Sequence, residues 1–127
     1  MYTLQILPQA LTVCKPAGLE GFDLSAGLCF LGNTGEELSL VCETSRVPRN
    51  TLAREDGWRA LRVAGTLDFS LTGVLSRIAT ALAGAGIPIF AVSTYDTDYI
   101  LVKQEALLPA VRALRGAGYA LEEAQGR

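Results

Sequence analysis

The order of strand-like and helix-like segments after residue 57 limits the fold of this chain more than any other feature. In chain order, the predicted elements are a strand in 58–69, a helix in 70–86, strands in 87–94 and 99–103, a helix from Leu107 and an edge strand in 119–124. Apolar residues alternate in the predicted strands and recur at helical spacing in the predicted helices. Ser70 is a suitable N-cap for the first helix, which Gly84 or Gly86 would end. The resulting order, β-α-β-β-α-β, is that of the ferredoxin-like α+β fold.

Two segments of the chain share one pattern, which indicates an internal repeat. Residues 28–43, "LCFLGNTGEELSLVCE", and residues 89–104, "IFAVSTYDTDYILVKQ", each consist of an apolar strand, a polar turn and a second apolar strand. An acid precedes the second strand in both segments, Glu37 in the first and Asp98 in the second. The repeat predicts two related hairpins and therefore two related modules.

The first module is expected to be shorter than the second. Its run "PAGLEGFDLS", residues 16–25, is too short and too rich in glycine for a full helix. The polar segment "REDGWR", residues 54–59, is typical of a solvated link between modules. We therefore predict a shortened module in residues 1–56, packed with a complete module in residues 57–127.

Composition narrows the range of partners. Hydrophobic residues make up 50% of the chain and charged residues 19%, which leaves a surface poor in charge and favours a homodimer. A formal net charge of −2 provides no positive field for nucleic acid.

No apolar run reaches the roughly 18 residues that a membrane span requires. Three cysteines without a CxxC pair are typical of reduced thiols, so we expect a cytoplasmic protein without membrane association.

Catalysis and metal binding are disfavoured by the residues that the chain lacks. Histidine, the commonest general base near neutral pH and a frequent metal ligand, does not occur in the sequence. The glycines of "GAGI", residues 84–87, follow a helical pattern rather than a strand, which indicates a helix terminator rather than a phosphate-binding loop. We therefore expect no enzyme activity, no catalytic residues, no metal and no cofactor.

Four stretches of the sequence resemble one protein family. They are "ELSLVCE" (37–43), "GWRALRV" (57–63), "LDFSLTGVLSRIATALAGAGI" (67–87) and "FAVSTYDTDYILVK" (90–103). Together they are similar to the paired, or tandem, ACT-domain proteins, relatives of the regulatory domains of aspartate kinases and of the ACT repeats in cytosolic arginine sensors. The resemblance implies ferredoxin-like modules that pair side by side, a regulatory role and no catalysis.

The resemblance also implies a place for a small ligand, usually an amino acid. In such proteins the ligand binds where the loop and helix start of one module meet the second strand of a neighbour. Carried over to this sequence, the ligand-binding residues are Asp68, Phe69, Ser70, Leu71, Thr72 and Gly73 on the loop and helix start, and Ala91, Val92, Ser93 and Thr94 on the strand. The acids expected to be structural or to support the ligand are Asp96, Asp98 and Glu37.

Elementary chemistry agrees with this placement. A helix start leaves backbone N–H groups without intrahelical partners, and a glycine such as Gly73 lets a carboxylate come close to them. Asp68, Asp96 or carbonyl groups near Ser93 can accept hydrogen bonds from the matching ammonium group. The same residues also have purely structural explanations, because Asp and Ser commonly cap helices and form turns whatever the function.

Two functions follow from the sequence. The first is a regulatory protein that binds an amino acid or a similar small metabolite, between ACT modules or across a dimer interface. The alternative is a protein–protein interaction module without a ligand, which regulates an enzyme or transporter through its sheet edges or helices. A panel of amino acids separates the two, because only a protein that binds one of them gains stability from it.

Overall fold

The computed structural model describes residues 2–67 and 71–125. The chain forms two compact units. The large unit consists of Met1–Pro8 together with Arg59–Arg127, and the small unit consists of Gln9–Trp58. The division after Trp58 lies close to the predicted boundary after residue 56, whereas the first eight residues lie with the large unit and not with the first module as predicted. That the small unit is a shortened ACT-like module stays a prediction.

Eight strands and two α-helices make up the described elements. The strands are β1 (Thr3–Ile6), β2 (Leu11–Pro16), β3 (Cys29–Asn33), β4 (Leu38–Glu43), β5 (Thr51–Val63), β6 (Phe90–Ser93), β7 (Asp98–Lys103) and β8 (Ala120–Glu123). The helices are α1 (Val74–Gly84) and α2 (Leu107–Gly116), and short 3₁₀ helices span Thr44–Arg46 and Gln104–Ala106.

The large unit has the predicted ferredoxin-like order, with one additional strand. Its elements from β5 to β8 follow the βαββαβ pattern, which confirms the α+β fold prediction. β7 pairs with both β5 and β6. The additional strand is β1, which pairs antiparallel with β5 through Leu4 and Val63 and parallel with β8 through Thr3 and Ala120. This double pairing explains why residues 1–8 belong to the large unit.

The helices of the large unit pack on one face of its strands. Ile78 and Leu82 of α1 and Leu114 of α2 are fully buried in one apolar cluster. Ile100 and Val102 of β7 belong to the same cluster, because alternate residues of a strand point to the same face. Burial of these side chains supplies most of the driving force that holds helices and strands together.

The first helix begins later than predicted. Its N-cap is Gly73 rather than Ser70, with φ of +79° and no side-chain capping bond, and Ser70 itself lies outside the described residues. A left-handed residue cannot continue a helix in the N-terminal direction, which is why α1 starts at Val74. The end is as predicted, since Gly86 has φ of +74° and the Ile87 N–H donates to the Leu82 carbonyl at 3.0 Å.

The segment predicted as a solvated link is part of strand β5. Arg54 lies opposite Cys14 of β2, and Glu55 lies opposite Val13. Residues 52–57 are exposed, so the prediction that this segment is solvated is correct. The prediction that it is a link is wrong, because its backbone is part of a strand. Strand pairing uses only main-chain groups, so a charged sequence can occupy a ladder wherever its side chains reach water.

The small unit has a loop between β2 and β3 that two side chains hold in place. Residues 9–58, all of which are described, contain no α-helix. The Arg46 Nη2 group donates to the Asp23 carbonyl at 2.9 Å, and its guanidinium lies 5.4 Å from the centre of the Phe22 ring. The Leu28 N–H donates to Glu43 Oε2 at 3.0 Å. The loop is therefore fixed by two charged side chains, Glu43 at the end of β4 and Arg46 in the 3₁₀ helix that follows.

The two hairpins repeat with an offset of 60 residues, one fewer than the sequence comparison predicted. In the first turn the Thr34 N–H donates to the Glu37 carbonyl at 3.1 Å, and in the second the Thr94 N–H donates to the Thr97 carbonyl at 2.9 Å. Glu37 therefore corresponds to Thr97 and not to Asp98. The apolar pattern alone did not fix the register, because both alignments place apolar residues opposite apolar residues.

Candidate functional site

A cavity of about 280 Å³ lies in the large unit between the start of α1 and the turn that joins β6 to β7. The side chains of its wall are apolar on the helix side and polar on the hairpin side. The lining residues are Leu67, Leu71, Gly73, Val74, Leu75, Ser76, Ser93, Thr94, Tyr95, Asp96, Thr97 and Asp98. The polar insert between the two strands of the hairpin therefore forms one wall of a cavity.

Much of the polar insert is turn chemistry. The Ser93 hydroxyl donates to Asp98 Oδ1 at 2.6 Å, across a directly paired position of the two strands. The Thr94 hydroxyl donates to the Thr97 carbonyl at 3.1 Å and accepts the Thr97 N–H at 3.4 Å. These bonds fix the turn at the mouth of the cavity, and they leave Asp98 Oδ2 with further acceptor capacity.

Two hydrogen bonds join the hairpin turn to the last residue of β5 and to the loop that follows it. The Thr97 hydroxyl, in a residue only 6% exposed, donates to the Val63 carbonyl at 2.7 Å. The Leu67 N–H donates to the Asp96 carbonyl at 2.7 Å. Both bonds connect segments about 30 residues apart in the chain, so they tie the hairpin wall of the cavity to the end of β5 and to Leu67.

Replacing Thr97 with valine is expected to lower the free energy of unfolding by about 1–3 kcal/mol, because the Val63 carbonyl loses a buried donor while the side-chain shape is kept. Thermal or urea unfolding measures this difference. Thr80→Val is the matched control, since Thr80 is exposed on α1 and the two residue types have similar helix propensity. Equal stability of the Thr97→Val variant and the wild type would show that this hydroxyl does not hold the turn.

The start of α1 presents main-chain donors to the cavity. The first bond within the helix runs from the Arg77 N–H to the Gly73 carbonyl at 2.9 Å. The N–H groups of residues 74–76 precede it and have no partner within the helix. These residues line the cavity, so the partial positive charge of the helix start lies at its wall.

Glycine is favoured at position 73 for two reasons. Its φ of +79° is a conformation that residues with a side chain rarely adopt. A Cβ atom on Gly73 would also lie 3.3 Å from Cζ and Nη2 of Arg77, closer than ordinary van der Waals contact. The bare glycine therefore lets the guanidinium of Arg77 lie against the entrance of the helix.

The comparison with known families decides what kind of domain carries this cavity. The family model of the ACT domain matches residues 53–116, a span that includes α1, the hairpin and both walls of the cavity. The chain belongs to the ACT-domain family. The resemblance predicted from the sequence is thereby confirmed.

Solved structures share the fold of this protein over nearly the whole chain. A protein from Agobacterium tumefaciens superposes with a TM-score of 0.83 at 29% identity, covering 99% of this chain and 96% of its own. A protein of unknown function from Vibrio cholerae, described as a possible transport protein, has a TM-score of 0.68 at 22% identity and coverages of 90% and 88%. The ligand-free regulatory subunit of aspartate kinase from Thermus thermophilus has a TM-score of 0.63 at 11% identity and coverages of 91% and 96%. The proteins from Vibrio cholerae and Thermus thermophilus are less than 25% identical to this chain, so their similarity shows a common fold and nothing more.

The ACT domain brings together some of the predicted ligand-binding residues and not others. Leu71, Gly73, Ser93, Thr94, Asp96 and Asp98 all line the cavity. Thr72, Ala91 and Val92 are not among the lining residues, and Asp68, Phe69 and Ser70 lie outside the described residues. Glu37 is an exposed residue of the small unit and does not line this cavity. A ligand-binding role for the loop and strand residues stays a prediction, as does a structural or ligand-supporting role for Asp96, Asp98 and Glu37.

The sequence analysis did not identify the residues on the first turn of α1. Val74, Leu75 and Ser76 line the cavity of the ACT domain, as do Leu67, Tyr95 and Thr97. Recognition of Gly73 as the N-cap would have found Ser76, because the third residue of a helix lies beside the N-cap on the same turn.

Two further features are absent from the part of the ACT protein that the structure describes. Residues 2–67 and 71–125 contain no group of three or more Cys, Asp or Glu side chains arranged to hold a metal ion. Within the same residues, neither α1 nor α2 has the length and apolar character that a bilayer crossing requires.

Proposed function

We propose that this protein is a non-enzymatic regulatory protein that binds an amino acid in the cavity between α1 and the β6–β7 turn. The observation that carries the proposal is the pairing of opposite chemistry across this cavity: main-chain donors of residues 74–76 on one wall, and the carboxylates of Asp96 and Asp98 on the other. An α-amino acid carries a carboxylate and an ammonium group on one carbon, which matches this arrangement.

The carboxylate of the ligand would lie at the start of α1. Three N–H groups without intrahelical partners and the positive end of the helix dipole favour an anion there. Arg77, whose guanidinium lies beside Gly73, adds a full positive charge nearby. The absence of a side chain on Gly73 lets the carboxylate approach the main chain closely.

The ammonium group would lie at the hairpin. Asp98 Oδ1 accepts the hydrogen bond from the Ser93 hydroxyl, and Oδ2 remains available as an acceptor. Asp96 lines the same wall. A charge-assisted hydrogen bond to either carboxylate is about twice as strong as a neutral one. The apolar wall of Leu67, Leu71 and Leu75 would then contact the ligand side chain.

Regulation would follow from what closes the cavity. Leu71 is 47% exposed and Tyr95 80% exposed, and both line its rim. Large apolar side chains exposed beside a ligand cavity favour a partner surface, so a ligand would change the affinity for a second copy of the chain. We propose a homodimer on this basis. The three free cysteines support the further proposal that the protein is cytoplasmic. The same exposed side chains favour the alternative, an interaction module without ligand.

A panel of amino acids tests the proposal by thermal shift and calorimetry. One amino acid, at about a hundred times its dissociation constant, is expected to add roughly 2.7 kcal/mol to the free energy of unfolding. Ser76→Trp fills the cavity from an exposed helical position and is expected to remove this gain. Thr80→Trp is the matched control, because Thr80 lies one turn further along the same face and does not line the cavity.

The outcomes distinguish the two functions. Stabilisation of the wild type and of Thr80→Trp, but not of Ser76→Trp, supports an amino-acid site in this cavity. Equal stabilisation of all three proteins would place the site elsewhere, and no response to any amino acid would favour the interaction module.

A further inference from the structure

Three strands of the small unit bring its cysteines into one cluster. Cys29 of β3 lies directly opposite Cys42 of β4 in the antiparallel ladder. Cys14 of β2 lies opposite Leu40, the residue two positions before Cys42 on the same face. Cys14, Leu40 and Cys42 form a buried cluster, and Cys29 packs against it. All three thiols are free.

The register of Cys29 and Cys42 meets the geometric requirement of a disulfide. Directly opposed residues in antiparallel strands have Cα atoms about 4.5–5.5 Å apart, with side chains on the same face. Disulfide-bonded residues have Cα atoms about 4.4–6.8 Å apart. The two ranges of Cα separation overlap, so the backbone need not move for the bond to form. The pairing of Cys14 with Leu40 does not give Cys14 a directly opposed cysteine.

The two members of the pair differ in access to solvent. Cys42 is fully buried, whereas Cys29 is half-buried and its thiol donates weakly to the Leu24 carbonyl at 3.5 Å. A small oxidant in solution would therefore meet Cys29 first, and Cys42 lies beside it as the resolving thiol. This is the usual division of roles in a redox-sensitive cysteine pair.

We propose that Cys29 and Cys42 form a reversible cross-strand disulfide when the protein meets a small-molecule disulfide such as oxidised glutathione. The Cys29 thiolate attacks one sulfur of that disulfide, forms a mixed disulfide and releases one glutathione thiolate. The Cys42 thiolate then attacks Cys29 Sγ and releases the second glutathione. Two protein thiols are oxidised, one disulfide is reduced to two thiols, and the two cysteine protons pass to solvent and the leaving thiolates.

The new bond would act on the loop between β2 and β3. Oxidation removes the thiol that donates to the Leu24 carbonyl, and so removes one contact between β3 and this loop. Burial raises the pKa of the Cys29 thiol and raises the pKa of Cys42 from 9.0 to about 11. Since only thiolates attack, the reaction is expected to be slow at neutral pH and to accelerate as the pH rises.

The experiment incubates the reduced protein with oxidised glutathione at neutral and at mildly alkaline pH and maps its peptides by mass spectrometry. We expect a linkage between the peptides that carry Cys29 and Cys42, formed faster at the higher pH and reversed by dithiothreitol. Cys14→Ala is the matched control, because it removes the third thiol of the cluster and leaves the opposed pair; it is expected to form the same Cys29–Cys42 linkage.

Other products would overturn the proposal. Persistent glutathionylation of Cys29 without a linkage would show that Cys42 cannot reach it. A linkage of Cys14 to Cys42, present in the wild type and unchanged in Cys29→Ala, would assign the reaction to a different pair. The wild-type peptide map decides between these outcomes even if a variant does not fold. Amino-acid binding is not needed for any of these outcomes, so the two proposals fail or succeed separately.

Discussion

Replacing Ile78 with alanine is expected to lower the free energy of unfolding by about 2–5 kcal/mol. Ile78 is 0% exposed and lies in the middle of α1, within the apolar cluster of the large unit. Truncation loses the transfer free energy of the removed carbons and leaves a cavity that rigid neighbours fill only in part. Alanine is the better helix former, but by no more than about 0.7 kcal/mol, which does not offset the loss.

The matched variant for this prediction is Ile78→Val, which removes a single methylene group. It is expected to cost about 0.5–1.5 kcal/mol, so the two variants form a graded series at one position. Urea unfolding measures both, with unchanged dependence on denaturant if only the native packing is affected. Equal stability of Ile78→Ala and the wild type would mean that α1 is not packed on the strands as described.

The second large effect is expected from alanine at Gly73. A left-handed φ of +79° costs a residue with a Cβ atom about 1–2 kcal/mol, and the new Cβ would also approach the Arg77 guanidinium at 3.3 Å. We therefore expect lower stability in thermal or urea unfolding and a helix start displaced from its present position. Because Gly73 lines the cavity, the stabilisation that an amino acid provides should also decrease.

Gly84→Ala is the matched control at the other end of α1. Gly84 is the last residue of the helix, and a Cβ there would meet no atom within 4 Å. Alanine at this position is expected to raise stability by up to about 1 kcal/mol, because it reduces the freedom of the unfolded chain and favours the helix. Opposite signs for the two substitutions are therefore expected. A loss of equal size at both would show that Gly73 has no special backbone role.

Periodicity predicted the elements that are defined by their own residues. The helix predicted from Leu107 begins there in the structure, with Pro109 in its first turn where no main-chain donor is required. The strands of the β6–β7 hairpin and the end of α1 at Gly84, followed by the left-handed Gly86, were also predicted, because glycine and alternating apolar residues act locally.

The errors have physical causes in contacts that are distant in sequence. Strand β5 includes residues 54–59 because β2 supplies its partners, and a charged segment shows no apolar alternation that would reveal this. The start of α1 was misplaced because serine is a good N-cap in general, whereas the chain uses a left-handed glycine. Glu37 was aligned with Asp98 because the repeat was matched on apolarity, whereas the hydrogen bonds of the turns align it with Thr97.

The sequence by itself determined the ferredoxin-like order of the second half, the family and the half of the candidate site formed by the hairpin, since these depend on residues close together in the chain. Only the tertiary structure decided that residues 1–8 complete the large unit between β5 and β8 and that the helix wall consists of residues 73–76. The physical reason is that main-chain pairing, and hydrogen bonds such as that from the Thr97 hydroxyl to the Val63 carbonyl, join segments that are distant in the chain. Nothing in the sequence of one such segment indicates which other segment it will contact.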